Sequence, residues 1–202
     1  MARLEEGIVI LCKLFHEKNA SHAGRFYQFE NVTLQPQPLQ QPCPIWIASN
    51  PTGLTWKGGD SASEPAVERG LRRVARYADG WMTNKLSPDE FRQQWARVTA
   101  MALEEGRDSS KLGSALYHNI HLDDDRSRAL SETKKFLDTY YTSNFSPAFV
   151  EGWTVAGSAK ECVEQLRAYF DAGVGHMALR LTSWDQKGQL RRFLDEVAPA
   201  FA

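Results

Sequence analysis

No stretch of the 202-residue chain approaches the roughly 20 consecutive apolar residues that a membrane helix needs, which argues against a helical membrane span. Neither sign of charge is in excess. Lys+Arg number 24 against 25 Asp+Glu, so the chain lacks the basic surplus with which a duplex-coating protein displaces counterions. Cysteine is scarce: Cys12, Cys43 and Cys162 are odd in number, widely separated and without CxxC spacing. Such cysteines are expected as reduced thiols in a cytoplasmic protein. The opening MARLEEGIVILCKLFHEK contains acids and no small-residue cleavage site, so it is not expected to be a signal peptide. Walker and GxGxxG loops, HExxH and paired carboxylates in a convincing context are all missing, which leaves no metal site and no assignable catalytic residue. Low-complexity segments and linkers are missing too, and the length suits one domain over residues 1–202.

What is present is a repeated alternation. Leu4, Ile8, Leu11 and Phe15 carry the helical period and predict a helix over 3–18. In GRFYQFENVTLQ, Tyr27 and Phe29 answer Val32 and Leu34 across Glu30-Asn31, which predicts a hairpin over 24–35. The prolines of PQPLQQPCP impose an extended connection. From 45 to 202 short apolar runs alternate with amphipathic segments: strands at 45–48, 81–83, 115–122 and 177–181. The helices between and after them bury Val67, Leu71, Val74 and Ala78, then Phe91, Trp95 and Val98, then Ala129, Phe136, Leu137 and Tyr140. The last two carry Cys162, Leu166, Tyr169 and Phe170, and Leu190, Phe193, Leu194 and Val197. Ser87 with Glu90 and Ser158 with Glu161 are capping boxes, Asp125 caps the helix that follows it, and Gly106 and Gly173 stop their helices. Residues 146–156 are expected to be irregular.

Strand, loop and helix repeated about four times predict an α/β fold with a parallel sheet covered by helices. Two architectures satisfy this pattern, an open doubly wound sheet and part of a (β/α) barrel. A regular barrel closes with eight strands and typically about 250 residues, so this chain is not expected to close one alone. A sheet of about four strands leaves two edges and an inner face open, which predicts association.

In either architecture ligands bind beyond the carboxyl ends of the strands. Ser49-Asn50-Pro51-Thr52-Gly53 follows the first core strand and combines short polar side chains with glycine, suiting a phosphate or an ordinary βα turn. Thr83 and Asn84 end the second strand at the same mouth, whereas Trp81 is expected in the core. His118 and His121, three apart on a strand, point to opposite faces and cannot share a metal. His121, Arg180, Thr182 and Trp184 are candidates to line the site. Asp123-Asp124-Asp125 suits a helix N-terminus better than a metal. Arg69, Arg72, Arg73 and Arg76 are expected to solvate a helix face or pair with acids.

PCPIWIASNP, ERGLRRVARYADGWMTNK, EEGRD and GSAKECVEQLRAYFDAGVGHMALRL ending in EVAP resemble, in this order, the C-terminal half of luciferase-like flavin- or deazaflavin-dependent monooxygenases. RRVARYADGWMT is the most specific piece. The resemblance implies a partial (β/α)8 TIM barrel, truncated to roughly the last four strand–helix units, with the hairpin as a short insertion. It also implies FMN or coenzyme F420 as cofactor, with reduced flavin and O2 or F420 hydride transfer acting on a small organic substrate. Ser49, Asn50, Thr52 and Gly53 would hold the cofactor phosphate and Thr83 would lie near the ring. His121, Arg180 and Trp184 would line the substrate. A homo-oligomer or a complementary barrel half is the partner expected, without nucleic acid. The alternative is a non-catalytic flavin-binding remnant, or a subunit that completes its barrel by association.

Overall fold

The computed structural model describes residues 2–52 and 62–202. Helix α1 (Ala2–His16) leads into an antiparallel hairpin of β1 (Ala20–Ala23) and β2 (Gln28–Val32). The turn is at 24–27 and not at Glu30-Asn31. The Glu6 carboxylate of α1 accepts from the Phe26 and Tyr27 amides and fixes the turn there, while Asn31 takes a positive φ inside an irregular register. This tertiary contact overrides the local alternation from which the hairpin was predicted. The prolyl connection carries no regular structure, and Gln37 and Gln41 donate to the Leu14 and Phe15 carbonyls at the end of α1. Of the α1 stripe, Ile8 is buried, but Leu4 and Leu11 are exposed together with Val9.

The main body runs β3 (Trp46–Ala48), α2 (Glu64–Tyr77), β4 (Gly80–Asn84), α3 (Pro88–Glu104), β5 (Gly113–Leu122) and α4 (Arg126–Tyr141). It continues through α5 (Pro147–Glu151), β6 (Thr154–Gly157), α6 (Ala159–Asp171), β7 (His176–Leu181) and α7 (Gln186–Arg192). A π turn at Phe193–Val197 and a 3-10 turn at Ala198–Phe201 follow. The segment expected to be irregular thus holds α5 and β6. Both capping boxes form, and Asp125 accepts from the Ser127 and Arg128 amides. The exposed Tyr140, Phe170, Leu190 and Leu194 depart from their predicted stripes.

The sheet settles which architecture the alternation belongs to. All its pairings are parallel: β3 with β4, β4 with β5, and β5 with both β6 and β7. Odd-numbered residues of β5 bond toward β4 and β6, since the Gly113 amide donates to Asp79 and the Asn119 amide to Trp153. Even-numbered residues bond toward β7, where the Thr182 amide donates to the Ile120 carbonyl. The long strand therefore carries β4 and then β6 on one edge and β7 on the other. Spatial order β3-β4-β5-β7 follows chain order without reversal, which is the order of a (β/α) barrel; a doubly wound sheet reverses at a switch point. It is an open arc and not a closed barrel.

The strands are not apolar on both faces as the sequence pattern implied. Ile47, Trp81, Leu116 and Ile120 are buried in the main core, which draws Val67, Leu71 and Val74 from α2, Phe91 and Val98 from α3, and Leu166 from α6. On the opposite, inner face Ala48, His176 and Ala178 are exposed and Met82 half-buried. Trp46 spreads across this face. A Cβ on Gly80 or Gly113 would strike its indole, and the indole meets His176 edge-on with centroids 5.6 Å apart. Trp81 faces the other way, stacking on Phe91 at 5.2 Å and donating its Nε1–H to the Ser49 carbonyl at 2.9 Å. It is a core residue, as expected.

Candidate functional site

A cavity of about 290 Å³ opens at the carboxyl ends of β3 and β4, lined by Ala48, Ser49, Asn50, Met82, Thr83, Asn84 and Tyr117. Strand alternation builds it. Ala48, Met82 and Asn84 share the inner face with Tyr117 of β5, and the chain leaving β3 delivers Ser49 and Asn50 to its rim. The Asn50 Nδ2 donates to Asn84 Oδ1 at 2.5 Å, joining the two strand ends. Asn50 Oδ1 accepts from the Thr52 amide at 3.2 Å and its hydroxyl at 2.9 Å. Asn50 and Thr52 are thus brought together, but they satisfy one another in an Asx turn that a phosphate would have to open. The Ser49 hydroxyl packs against Gly70 of α2. Gly53 lies outside the described residues.

Thr83 shares the Trp81 face, not that of Asn84, because successive strand side chains alternate. It is buried, and its hydroxyl has no hydrogen-bond partner among the described residues. Its backbone borders the cavity while its side chain turns toward the helices, which corrects the expectation that both residues face the mouth. Tyr117 was not singled out from sequence. Burial pushes its hydroxyl well above the usual phenol range, with Arg180 opposing the shift and the neighbouring Tyr141 and Tyr140 hydroxyls adding to it. A tyrosine in the middle of an apolar strand is as easily read as core, so no signal separated it.

The two histidines part as their spacing requires. His118 faces α6, 3.3 Å from the Tyr169 hydroxyl, and burial lowers its pKa to about 3. His121 is buried, its Nδ1 donating to the Thr182 carbonyl at 2.9 Å while Nε2 lies 3.5 Å from Glu132 of α4. It locks α4 to the end of β7 and does not line the cavity. Trp184 is 71% exposed and packs on Phe136 of α4, away from the cavity. Arg180 does reach the inner face, where it lies over Tyr117.

The remaining candidates take structural roles. Arg72, Arg73 and Arg76 pair with Glu68, Glu104, Glu105 and Glu5. Asp123 pairs with Arg128. Burial raises the Cys12 thiol and pushes Cys162 up to about 12, away from reactivity. Among the described residues no His/Cys/Asp/Glu group is placed to hold a metal, and no helix is long and apolar enough to cross a membrane.

An arc of sequentially ordered parallel strands, with its cavity at their carboxyl ends, defines a (β/α)-barrel protein whose site is built from βα loops. The family model of luciferase-like monooxygenases matches residues 65–176. The chain belongs to that family. It is 22% identical over 218 residues to an F420-dependent glucose-6-phosphate dehydrogenase of Kineococcus radiotolerans, covering 98% of this chain and 60% of that one. In fold it is similar to an F420-dependent secondary alcohol dehydrogenase solved with an F420-acetone adduct, with TM-score 0.77 and 16% identity over 98% of this chain and 61% of the other. It is also similar to a monooxygenase from Streptomyces bottropensis, with TM-score 0.75 and 18% identity over 100% and 61% of the two chains. The chain thus spans about three fifths of the length of the relatives it matches.

Proposed function

We propose that this chain forms the carboxyl-terminal side of an F420- or FMN-dependent oxidoreductase acting on a small organic molecule, with the cofactor ring seated over the cavity between β3, β4 and β5. The observation that carries the proposal is the chemistry of the lining. Ala48 and Met82 give an apolar floor, Asn50 and Asn84 a rim of neutral amides, and Tyr117 of β5 adds a phenol to the lining. An apolar floor with a few convergent neutral polar groups fits a planar heterocycle edged with carbonyl and N–H groups. Among the described residues the lining side chains are uncharged, which suits the neutral polar edge of the ring.

In such an enzyme the cofactor supplies the redox chemistry, a hydride carrier in F420 or electrons for O2 in reduced flavin. The part of this chain is to orient and to exclude water. The Asn50–Asn84 pair would present its remaining N–H donors to the ring edge, and Met82 would pack on its face. The F420-dependent relatives favour F420 over FMN. The scattered free thiols support a place in the cytoplasm.

Titration with F420 and with FMN, followed by quenching of cofactor fluorescence, tests the proposal. F420 is expected to bind, and Asn84→Leu to weaken that binding about tenfold with an unchanged melting temperature. Equal affinity of both proteins, or binding of neither cofactor, would overturn it.

The exposed inner face favours a second, compatible reading: the chain completes its barrel by association, with a second copy or a complementary half. Sedimentation equilibrium at tens of micromolar decides it. A stable compact monomer would count against association.

A further inference from the structure

Arg180 ends β7 on the inner face with its charge unanswered. Its guanidinium carbon lies 5.1 Å from the ring centroid of Tyr117, 4.5 Å from that of Tyr140 and 5.3 Å from that of Tyr141. Nη1 donates to the Tyr141 hydroxyl at 2.9 Å. Among the described residues no carboxylate comes within 4.0 Å of it. Around the end of β5, by contrast, Arg126 meets Glu151, Arg128 meets Asp123, and Arg192 meets Asp124 and Glu196.

Aromatic faces stabilise a cation, but they offer it no in-plane acceptor. A guanidinium carries five N–H donors in a fixed fork that matches the two oxygens of a carboxylate or phosphate. The tyrosines therefore hold the fork in place and leave most of its donors for something else. Arg180 is only half-buried, so that something can arrive from the inner face. Tyr117 connects the two places, lining the cavity and packing on Arg180.

We propose that the Arg180–tyrosine cage is an anion-recognition subsite, which selects small molecules bearing a carboxylate or phosphate group and holds that group beside the cavity. It deepens the proposed function and rests on it for the claim that the anion belongs to a substrate; the anion site itself is testable without the cofactor.

The test is titration of the full chain with inorganic phosphate and, separately, with acetate, at constant ionic strength set by chloride. Calorimetry and the near-ultraviolet difference spectrum of the tyrosines provide the readouts. At least one of the two anions is expected to bind saturably and perturb the tyrosine spectrum, and the stronger of them identifies the preferred group. Arg180→Met is expected to weaken that binding tenfold or more. Arg180→Lys keeps the charge but loses the fork, and is expected to fall between the two; it also serves if the methionine variant does not fold. Equal affinity in wild type and both variants, or no saturable response to either anion in the wild type, overturns the proposal. F420 titration runs independently: F420 binding without an anion response removes this subsite and leaves the proposed function standing. An Arg180-dependent anion response without F420 binding does the reverse.

Discussion

Trp46 lies flat against Gly113: a Cβ added to that glycine would sit 2.5 Å from the far edge of the indole. Gly80, one strand nearer, is covered by the same ring system. The two glycines exist to let one aromatic side chain from β3 cross β4 and β5 and reach His176 on β7. Gly113→Ala should therefore cost about 1–3 kcal/mol by overpacking. Trp46→Leu in the same chain should recover part of that loss, so urea unfolding of the two single variants and the double variant should show non-additivity. Strict additivity would mean that the ring is free to move aside.

Gln189 of α7 holds the end of β5 as a missing strand would. Its Oε1 accepts from the Leu122 amide and its Nε2 donates to the Leu122 carbonyl, both at 2.8 Å. Gln189→Leu keeps the volume but leaves a buried backbone amide without a partner, at a cost of about 1–3 kcal/mol. Gln189→Glu, which can still accept from the amide, should lose less if unfolding is measured near pH 3.5, where an ordinary glutamate carboxyl is largely protonated and can also donate to the carbonyl.

The pH dependence of stability should carry an acid limb from His118. Its folded pKa is about 3, against an ordinary value of 6.5. Above about pH 7.5 it is neutral in both states and contributes almost no slope. As pH falls from 6.5 toward 3 the unfolded chain takes up a proton that the folded chain refuses, so stability drops by about 1.4 kcal/mol per pH unit from this group. His118→Phe should flatten the limb between pH 6 and pH 4.5 in denaturant titrations; an unchanged slope would reassign it.

The capping boxes should act independently. Ser87→Ala and Ser158→Ala each remove an acceptor for the N3 amide, and each is expected to lower stability by about 1 kcal/mol. Each box closes within its own helix and shares no partner with the other, so the double variant should lose the sum.

Local chemistry made most of this fold legible in the sequence. The caps at Ser87, Asp125 and Ser158 and the α2 stripe of Val67, Leu71 and Val74 are each set within a few residues, and all are found in the structure. Contacts between distant residues were not legible. The hairpin turn is placed by Glu6, some 20 positions earlier in the chain. The strand β6 exists because β5 is long enough to receive it beyond β4. The same division runs through the site. Ser49 and Asn50 were found because they follow a strand, yet their partners, Gly70 and Asn84, are set by tertiary packing. Tyr117 was missed because its role is conferred by Arg180 and Asn84, neither of which is near it in sequence.

The position of β5 has a kinetic corollary. Flanked along both edges by β4, β6 and β7, it cannot expose its amides unless several crossovers come apart together. Deuterium should therefore enter Leu116 and Ile120 only at the rate of global opening. The β1–β2 ribbon, paired only with itself and moored through Glu6, should exchange early. A protein organised in this way loses its margin before its spine, and partial denaturation should strip the ribbon while the cavity between Asn50 and Tyr117 is still assembled.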